Sequence, residues 1–258
     1  MSGKRRQKWH SGYSIKRAAE RALAEMVNAV DTGTFVEPNS MTLGEHLTEW
    51  LAAIELTIRP ATHYSYSRNI RLHVVPRLGS AQLRRIDGGK LNTLYAELLA
   101  NGKHSNEKRS DGNDSAGLSP RTVRYIHTIL HRAFRDAVRW GRLARNPADA
   151  ADPPRASADD RPAMVTWTAD QVRTFLTYTA AHRLYAAFLL LATTGMRRGE
   201  TLGLRWLDLD LAAGRASVVQ TVIVVNHQVR FGSPKTAAGR RTVAPDPGTG
   251  AARPRSGY

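Results

Sequence analysis

The sequence contains no cysteine, and none of its apolar runs is long. Without cysteine the chain forms no disulfide, uses no thiolate nucleophile and builds no cysteine-based metal site, which fits a reducing compartment. No apolar run approaches the roughly 20 residues of a membrane-spanning helix, and no apolar signal region stands at the N-terminus. We therefore expect a cytoplasmic protein without membrane contact, and its 258 residues suffice for one large or two ordinary domains.

Acidic residues are also few, and their shortage leaves the chain strongly basic. Lysine and arginine together number 38, against 22 aspartates and glutamates, for a formal net charge of +16. A field of this size favours a polyanionic partner, with DNA or RNA first. GC-rich coding could account for part of the arginine content, so charge alone leaves the partner open.

The strongest core signal is the apolar run from Ala186 to Ala192, which predicts a buried helix. The segment Thr193–Gly195 interrupts this run, because glycine tolerates backbone angles that other residues resist. We therefore expect a core helix, a sharp turn and a second, shorter helix in succession.

The shorter helix carries the first candidate site. Met196, Leu202 and Trp206 are predicted to face inward. Arg197 and Glu200 stand three residues apart on one helix face and can pair. The planar guanidinium of an arginine at the mouth of such a turn can hold two phosphate oxygens at once. The alternative is an exposed ion pair without a role, since such pairs are common and weak.

A long helix is predicted from Ser119 and Pro120 to about Trp140, and its two sides differ. One side is apolar at helical spacing and is predicted to join a bundle: Val123, Ile126, Leu130, Phe134 and Ala137. The opposite side carries a basic ridge: Arg121, Arg124, Thr128, His131, Arg135, Arg139 and Arg142. Phosphates neutralised by such a ridge release counterions, which gives salt-sensitive, largely sequence-independent DNA binding. The alternative is a solvated face without a partner.

Other helices are predicted to start near Ser14, at Thr42, at Pro60, at Ile86 and at Thr168. Glu45 forms a predicted capping box with Thr42, and the helix that starts at Pro60 is predicted to end at Pro76. β-Branched runs predict strands over 216–225, 229–231 and 241–244. A Gly- and Ser-rich loop is expected over 101–118, and a linker rich in Ala, Asp and Pro over 148–162.

The stretch from Thr193 to Asp210 resembles a known family. Its residues Thr-Thr-Gly-Met-Arg-Arg-Gly-Glu, followed by Leu-Gly-Leu-Arg-Trp and Asp-Leu-Asp, are similar to the first catalytic box of the tyrosine recombinases, the phage-integrase family. In that family the arginine after the Thr-Gly turn contacts the scissile phosphate. The resemblance implies that Arg197 is the first active-site arginine and that Glu200 is its buried orienting partner.

A second resemblance surrounds Lys235. Ser-Pro-Lys-Thr over 233–236, with Arg-Arg-Thr-Val over 240–243, resembles the family's turn between its second and third strands. The lysine of that turn protonates the leaving 5′ oxygen, and the resemblance implies this role for Lys235. The chemistry is coherent, because an alkoxide is a poor leaving group without a proton donor. Arg197 would stabilise the charge on the phosphorane oxygens.

The resemblance also implies a fold and a domain order. The fold would be mainly α with a small β-sheet, a helical core-binding (SAM-like) bundle followed by an incomplete α+β DNA breaking-rejoining domain. The expected segments are an arm-type remnant over 1–37, the bundle over 41–147, the linker over 148–162, the partial catalytic domain over 163–246 and an irregular tail over 247–258. The remnant carries a basic arm of Lys4, Arg5, Arg6 and Lys8, and a basic leader with one helix is the alternative.

Two parts of the family's active site do not follow Lys235: a His-x-x-Arg box and the tyrosine that forms a 3′-phosphotyrosyl bond. The stretch His227-Gln-Val-Arg230 has the right letters, but it precedes the lysine in a strand pattern. Tyr258 stands in a tail with no helix to position it. We therefore expect a C-terminally truncated integrase that is inactive alone, and the alternative is a non-catalytic DNA-binding protein that occupies attachment sites.

The resemblance implies double-stranded DNA as the partner and a DNA-associated location. Complete family members assemble as tetramers on DNA, so a homo-oligomer on DNA is compatible with it. Phosphotyrosine chemistry conserves the phosphodiester bond energy, so we expect no nucleotide and no metal cofactor. His127 and His131 stand one turn apart, but no third ligand is in view and we predict no zinc site there.

Overall fold

The computed structural model describes residues 15–31, 40–102, 117–155, 164–234 and 236–244. These residues fall into two compact units, the first within 1–54 and 66–156 and the second within 55–65 and 157–258. Helices dominate, and the strands of the described residues form two small antiparallel sheets. The predicted fold class, mainly α with a small amount of β structure, is confirmed. None of the described helices is long and apolar enough to cross a membrane.

Six α-helices lie in the described residues up to 155: α1 Lys16–Asp31, α2 Leu43–Ile54, α3 Pro60–Asn69, α4 Val75–Leu78, α5 Gly88–Asn101 and α6 Pro120–Arg139. The predicted capping box starts α2, since the Thr42 N–H donates to Glu45 Oε2 at 2.7 Å and the Glu45 N–H donates to Thr42 Oγ1 at 3.2 Å. Ser119 caps α6 by accepting the Thr122 N–H. Both predicted helix starts are therefore confirmed.

The helix that starts at Pro60 does not end at Pro76. It widens into a π-helical turn over Ile70–Val74, where the Val75 N–H donates to the Ile70 carbonyl five residues back. Pro76 then lies in the first turn of α4, where a missing N–H breaks no hydrogen bond. The prediction is wrong because a proline interrupts only the interior of a helix, and the π turn puts Pro76 at a helix start.

Side chains of α2, α5 and α6 form the core of the first unit. The apolar side of α6 is buried as predicted, and none of its five residues is more than 1% exposed. Two buried polar contacts fix how α2 meets α6: Trp50 Nε1 donates to Asp136 Oδ2 at 2.8 Å, and His46 Nε2 lies 3.1 Å from the Ala133 carbonyl oxygen. Burial lowers the pKa of His46, so its ring acts as a neutral donor to that carbonyl.

The predicted linker over 148–162 is folded at its beginning. Pro147–Ala150 forms a 3-10 turn in which Ala148 is 2% exposed. Beyond it, the Asn92 side chain of α5 exchanges two hydrogen bonds with Asp152, one to its backbone and one to its carboxylate. The chain therefore stays attached to the first unit through residue 152.

The second unit contains three further α-helices and the strands. The helices are α7 Ala169–Tyr178, α8 Tyr185–Thr194 and α9 Arg198–Leu202, and the strands are β1 Leu209–Asp210, β2 Arg215–Val218, β3 Thr221–Val225, β4 Gln228–Gly232 and β5 Arg241–Val243. One sheet has the order β1-β2-β5, and β3 pairs with β4 as a separate hairpin. The single strand predicted over 216–225 is thus two strands in different sheets. The break falls at Gln220, whose side-chain amide donates to the Gly203 carbonyl at 2.8 Å.

Apolar side chains of the second unit are less buried than the sequence predicts. No residue of α8 is fully buried, although its apolar run predicts a core helix. Met196 is 4% exposed as expected, but Leu202 and Trp206 are 54% and 70% exposed. The predictions for these two residues are wrong: α9 turns Glu200 and Thr201 inward instead of Leu202, and Trp206 lies beyond α9 in a 3-10 turn whose buried residue is Asp208.

Candidate nucleic-acid interface and active site

The exposed side of α6 carries most of the predicted basic ridge. The ridge residues with accessible side chains on this helix are Arg121, Arg124, Thr128, His131, Arg135 and Arg139. Arg139 lies 3.4 Å from Asp136 Oδ1. Within the described residues the other three arginines have no ion-pair partner. Free guanidinium groups on one helix face can neutralise several phosphates of a duplex.

Arg142 does not belong to this ridge, and its predicted place there is wrong. The helix ends three residues earlier, and Gly141 at φ 68° turns the chain back. The Arg142 guanidinium donates to Glu49 Oε2 at 2.5 Å and to His46 Nδ1 at 3.1 Å. It also lies over the Trp140 ring, 4.9 Å from the centroid. Arg142 therefore holds α2 against the end of α6.

His131 and Arg132, also on α6, each contact a residue outside this helix. His131 Nε2 lies 2.8 Å from Asp149 Oδ1, so this ridge residue already has an acidic partner. Arg132, which the sequence prediction missed, has its guanidinium 5.9 Å from the centroid of the Tyr66 ring. Arg132 follows Thr128 by one helical turn, and this spacing alone could have placed it beside the ridge.

The turn after α8 has the predicted geometry. Gly195 at φ 62° ends the helix in the left-handed region. Arg197 then donates twice to Glu200, from its backbone N–H to Oε2 at 3.0 Å and from Nη1 to Oε1 at 2.9 Å. The side chain of Glu200 is 3% exposed, whereas that of Arg197 is 74% exposed. The predicted pairing is confirmed, and the buried carboxylate orients a guanidinium that faces solvent.

Glu200 has a second partner that the sequence prediction missed. Arg241, at the start of β5, donates from Nη2 to Glu200 Oε2 at 3.0 Å. Burial raises the pKa of Glu200, but the hydrogen bonds from the Arg197 backbone and from the two guanidinium groups outweigh burial and bring the pKa to about 2. Glu200 is therefore charged at neutral pH, and it joins two arginines, the second of which lies 41 positions further along the chain than Glu200 itself.

Two glycines allow α9 to lie directly against β3. A Cβ on Gly199 would stand 2.5 Å from the Val222 carbonyl oxygen, and one on Gly203 would stand 3.1 Å from Thr221 Cα. The first contact excludes a side chain unless the backbone moves, and the second is tighter than ordinary packing. The glycines therefore set the distance between the hairpin and the helix that carries Glu200.

Arg205 and Asp208 form a separate pair after α9. Arg205 Nε and Nη2 donate to the two carboxylate oxygens of Asp208, each at 2.8 Å. These side-chain bonds, with that of the Arg205 backbone, lower the pKa of Asp208 although burial opposes them. The pair is bidentate and closes the turn before β1, which is typical of a structural contact.

Several predicted residues lie outside the described residues: Lys235, Lys4, Arg5, Arg6, Lys8 and Tyr258. Positions on both sides of Lys235 are described, and the Gly239 N–H donates to the Thr236 carbonyl at 2.9 Å. β5 follows at once, beginning with the arginine that binds Glu200. His227 lies in the β3–β4 turn and Arg230 in β4, so this pair starts no helix. In the described part of the chain no three His, Asp or Glu side chains converge as a metal site.

Comparison with known families gives a match in each unit. Residues 42–99 match the family described as "Phage integrase, N-terminal SAM-like domain". Residues 166–244 match the family described as "Phage integrase family". The second match contains Arg197, Glu200 and Arg241.

The curated relatives are named as tyrosine recombinases or integrases. A tyrosine recombinase XerC-like protein of Caldanaerobacter subterraneus subsp. tengcongensis is 27% identical over 200 residues, which cover 76% of this chain and 47% of the relative. An integrase of Streptomyces ambofaciens is 25% identical over 252 residues, which cover 94% of this chain and 58% of the relative. The chain therefore spans about half the length of the curated relatives it matches.

Solved structures share the fold. The Tn1549 transposon integrase in complex with a circular intermediate DNA has a TM-score of 0.63 and 21% identity, and the likeness covers 82% of this chain and 63% of that chain. A lambda integrase dimer bound to a COC′ core site has a TM-score of 0.55 and 19% identity, over 75% of this chain and 62% of that chain. Sequence motif, family matches and fold agree: the chain belongs to the tyrosine recombinase family, also called the phage-integrase family.

Proposed function

We propose that this chain binds double-stranded DNA as part of a site-specific recombinase of a mobile element. The observation that carries the proposal is the contact of Arg197 and Arg241 with the buried Glu200. One carboxylate holds two guanidinium groups while Arg197 stays exposed, which is an arrangement suited to a phosphodiester. The exposed side of α6 supplies the remaining contacts to the duplex, through Arg121, Arg124, Arg135 and Arg139.

In the proposed reaction, Arg197 stabilises negative charge on the nonbridging oxygens while the scissile phosphate is attacked. The oxygen of a tyrosine hydroxyl forms the bond to phosphorus and gives up its proton to water, while the bond from phosphorus to the 5′ oxygen breaks and that oxygen takes a proton from Lys235. Rejoining reverses these steps. Glu200 touches no reacting atom in this scheme, and its part is to orient Arg197.

DNA as the partner is supported by what the similar structures contain. The Tn1549 integrase is seen with a circular intermediate DNA, and lambda integrase is seen as a dimer on a core site and as a tetramer on a Holliday junction. We propose the same class of partner for this chain, and a homo-oligomer on DNA. The basic arm with Lys4, Arg5, Arg6 and Lys8 stays a predicted additional contact.

These 258 residues contain no histidine after Lys235, and hence no His-x-x-Arg box there. We therefore propose that they bind DNA without cleaving it unaided. The second candidate function is a non-catalytic protein that occupies attachment sites, and the exposed arginines of α6 support it as well.

The proposal is tested by fluorescence anisotropy with a mixed-sequence duplex at several salt concentrations. We expect salt-dependent binding, and the triple variant Arg121→Ala/Arg124→Ala/Arg135→Ala should lower the slope of log K against log salt by about 0.9 for each phosphate that is no longer neutralised. A charge-matched control is Arg71→Ala/Arg183→Ala/Arg215→Ala, three exposed arginines that do not belong to α6. Equal slopes in the wild type and the ridge variant would remove the α6 face from the interface.

Incubation with a nicked suicide duplex tests the proposed inactivity of the chain. Selection from a random-sequence pool first supplies a duplex that the chain prefers. A covalent adduct would show that the chain cleaves DNA and would contradict its proposed inactivity. Binding without an adduct agrees with the proposed inactivity, which both candidate functions share.

A further inference from the structure

A second basic surface of the first unit is formed by arginines that do not belong to the α6 ridge. Arg84 and Arg85, in the 3-10 turn before α5, and Arg145, in the loop after α6, line one cleft of about 590 Å³. All three side chains are exposed, and within the described residues none has an ion-pair partner. Three unpaired guanidinium groups around one concave surface attract a ligand with several acceptor oxygens.

The acidic residues of the cleft do not neutralise these arginines, because each is engaged elsewhere. Asp87 caps α5 by accepting the Lys90 N–H at 2.8 Å and lies 4.0 Å from Lys90 Nζ. Asp149 is bound to His131 of α6. The cleft therefore keeps a net positive charge.

The walls of the cleft are fixed by close packing. A Cβ on Gly88 would stand 2.1 Å from the Ala150 carbonyl oxygen, so the start of α5 touches the turn at 147–150 directly. The Asn146 side chain accepts the Ala148 N–H and donates to the His131 carbonyl. A surface held in this way presents its arginines without a large ordering cost on binding.

We propose that this cleft binds the sugar-phosphate backbone of duplex DNA and extends the surface that α6 offers to the duplex. The inference rests on the proposed DNA-binding function. Asp149 lines the cleft and contacts His131 of the ridge, so the two basic surfaces share an edge. The cleft lining contains no aromatic side chain on which a base could stack, which favours backbone phosphates over a free nucleotide.

The test compares Arg84→Ala/Arg85→Ala/Arg145→Ala with the wild type in the same salt titrations. We expect the slope of log K against log salt to fall by about 1 to 2, as when one or two fewer phosphates are neutralised. The control Arg71→Ala/Arg183→Ala/Arg215→Ala removes equal charge, and its slope should change less. Arg84→Lys/Arg85→Lys/Arg145→Lys keeps the charge and should recover the slope while binding DNA more weakly, because lysine cannot form the bidentate fork of arginine.

The outcomes separate this inference from the proposed function. An unchanged slope in the alanine variant, with a reduced slope in the α6 variant, would overturn the cleft and leave DNA binding intact. A reduced slope in the cleft variant alone would support the cleft and remove the ridge. Absence of salt-dependent binding by the wild type would overturn both. Equal reductions in the cleft variant and its charge-matched control would show a net-charge effect only, and would also overturn the cleft.

Discussion

At the scale of single residues, the buried carboxylate of Glu200 connects two arginines that lie far apart in the sequence. It accepts hydrogen bonds from the Arg197 backbone, the Arg197 guanidinium and the Arg241 guanidinium. A buried carboxylate with three donors is stabilised in its charged form, and removal of its charge leaves two cations facing each other. Glu200 therefore couples the orientation of Arg197 to the position of β5.

The Glu200→Gln variant should be less stable than the wild type at neutral pH by about 2 to 3 kcal/mol. The pKa of Glu200 is lowered to about 2 in the folded chain, so its stabilising contribution is present above the unfolded pKa of about 4.3 and is lost as pH falls to about 2. Urea unfolding at neutral pH and at successively lower pH measures the difference. Glu97→Gln removes an exposed carboxylate and is the control. A difference independent of pH would contradict the assigned charge state.

Arg142 and Arg135 should respond in opposite ways to truncation. Arg142→Ala removes the interactions with Glu49, His46 and Trp140, so we expect a destabilisation of about 1 to 2 kcal/mol with little change in the salt dependence of DNA binding. Arg135→Ala should leave stability unchanged and reduce that salt dependence. Urea unfolding and anisotropy titrations of both variants provide the two readouts, and the reverse pattern would return Arg142 to the interface.

Residue pairs close in sequence could be predicted, and pairs far apart along the chain could not. Arg197 and Glu200 are three positions apart, so helix geometry alone brings them together. Arg241 reaches Glu200 only through the pairing of β5 with β2, which no local pattern specifies. Arg142 was misplaced because helical spacing was continued past Gly141, where the backbone leaves the helix.

At the scale of elements, the packing of α9 on β3 depends on the absence of two side chains. Gly199 faces the Val222 carbonyl at a distance that excludes a Cβ. Any substitution there moves the helix that carries Glu200 or the hairpin that supports it. In the local sequence Arg198-Gly199-Glu200, the glycine therefore allows the close packing on β3, and the glutamate forms the ion pair with Arg197.

The Gly199→Ala variant should be destabilised by about 1 to 3 kcal/mol, since its Cβ would overpack the boundary between helix and strand. Gly232→Ala is the matched control, because nothing lies within 4 Å of its Cβ position and its backbone needs no positive φ. Thermal unfolding of both variants, read by circular dichroism, measures the effect. Equal melting temperatures for the two variants would contradict the close approach of α9 to β3.

Helices of the first unit were largely predictable, because caps and apolar spacing mark their starts locally. The strands were less predictable from the sequence. Apart from Ser217 and Gln220, the run over 216–225 consists of β-branched and apolar residues. Nothing in this local pattern shows that the chain passes at Gln220 from one sheet to a separate hairpin. The helical conformation on both sides of Pro76 was likewise not predictable, because it depends on a π turn that places the proline at the start of α4.

At the scale of the whole molecule, the two units differ in how completely their apolar side chains are buried. The first unit buries large side chains such as Trp50 and Phe134 completely. In the described residues from 164 on, the buried apolar side chains are Met196, Ala216, Val218, Val225 and Pro234. Sparse apolar burial implies a low free energy of local opening. The apolar pattern of α8 alone does not predict this contrast, since α8 has the most apolar sequence of the chain's second half and is only partly buried.

Hydrogen exchange should show this difference directly. We expect amides of α8 to exchange at least about tenfold faster than those of α6, after correction for intrinsic rates, which corresponds to about 1.4 kcal/mol in opening free energy. Mass spectrometry of peptides spanning each helix measures the rates. Equal protection of α8 and α6 would show that burial does not set local stability here.

The cluster of Arg197, Glu200 and Arg241 also has an electrical consequence for the phosphate that we propose it binds. Two guanidinium groups and one ionised carboxylate together carry a single positive charge. A phosphate within a strand carries one negative charge and balances them, whereas a phosphate at a strand end carries close to two and leaves an excess. Under the proposed function, a phosphodiester within a strand would leave the occupied site electrically neutral, whereas a terminal phosphate would leave it with a net negative charge.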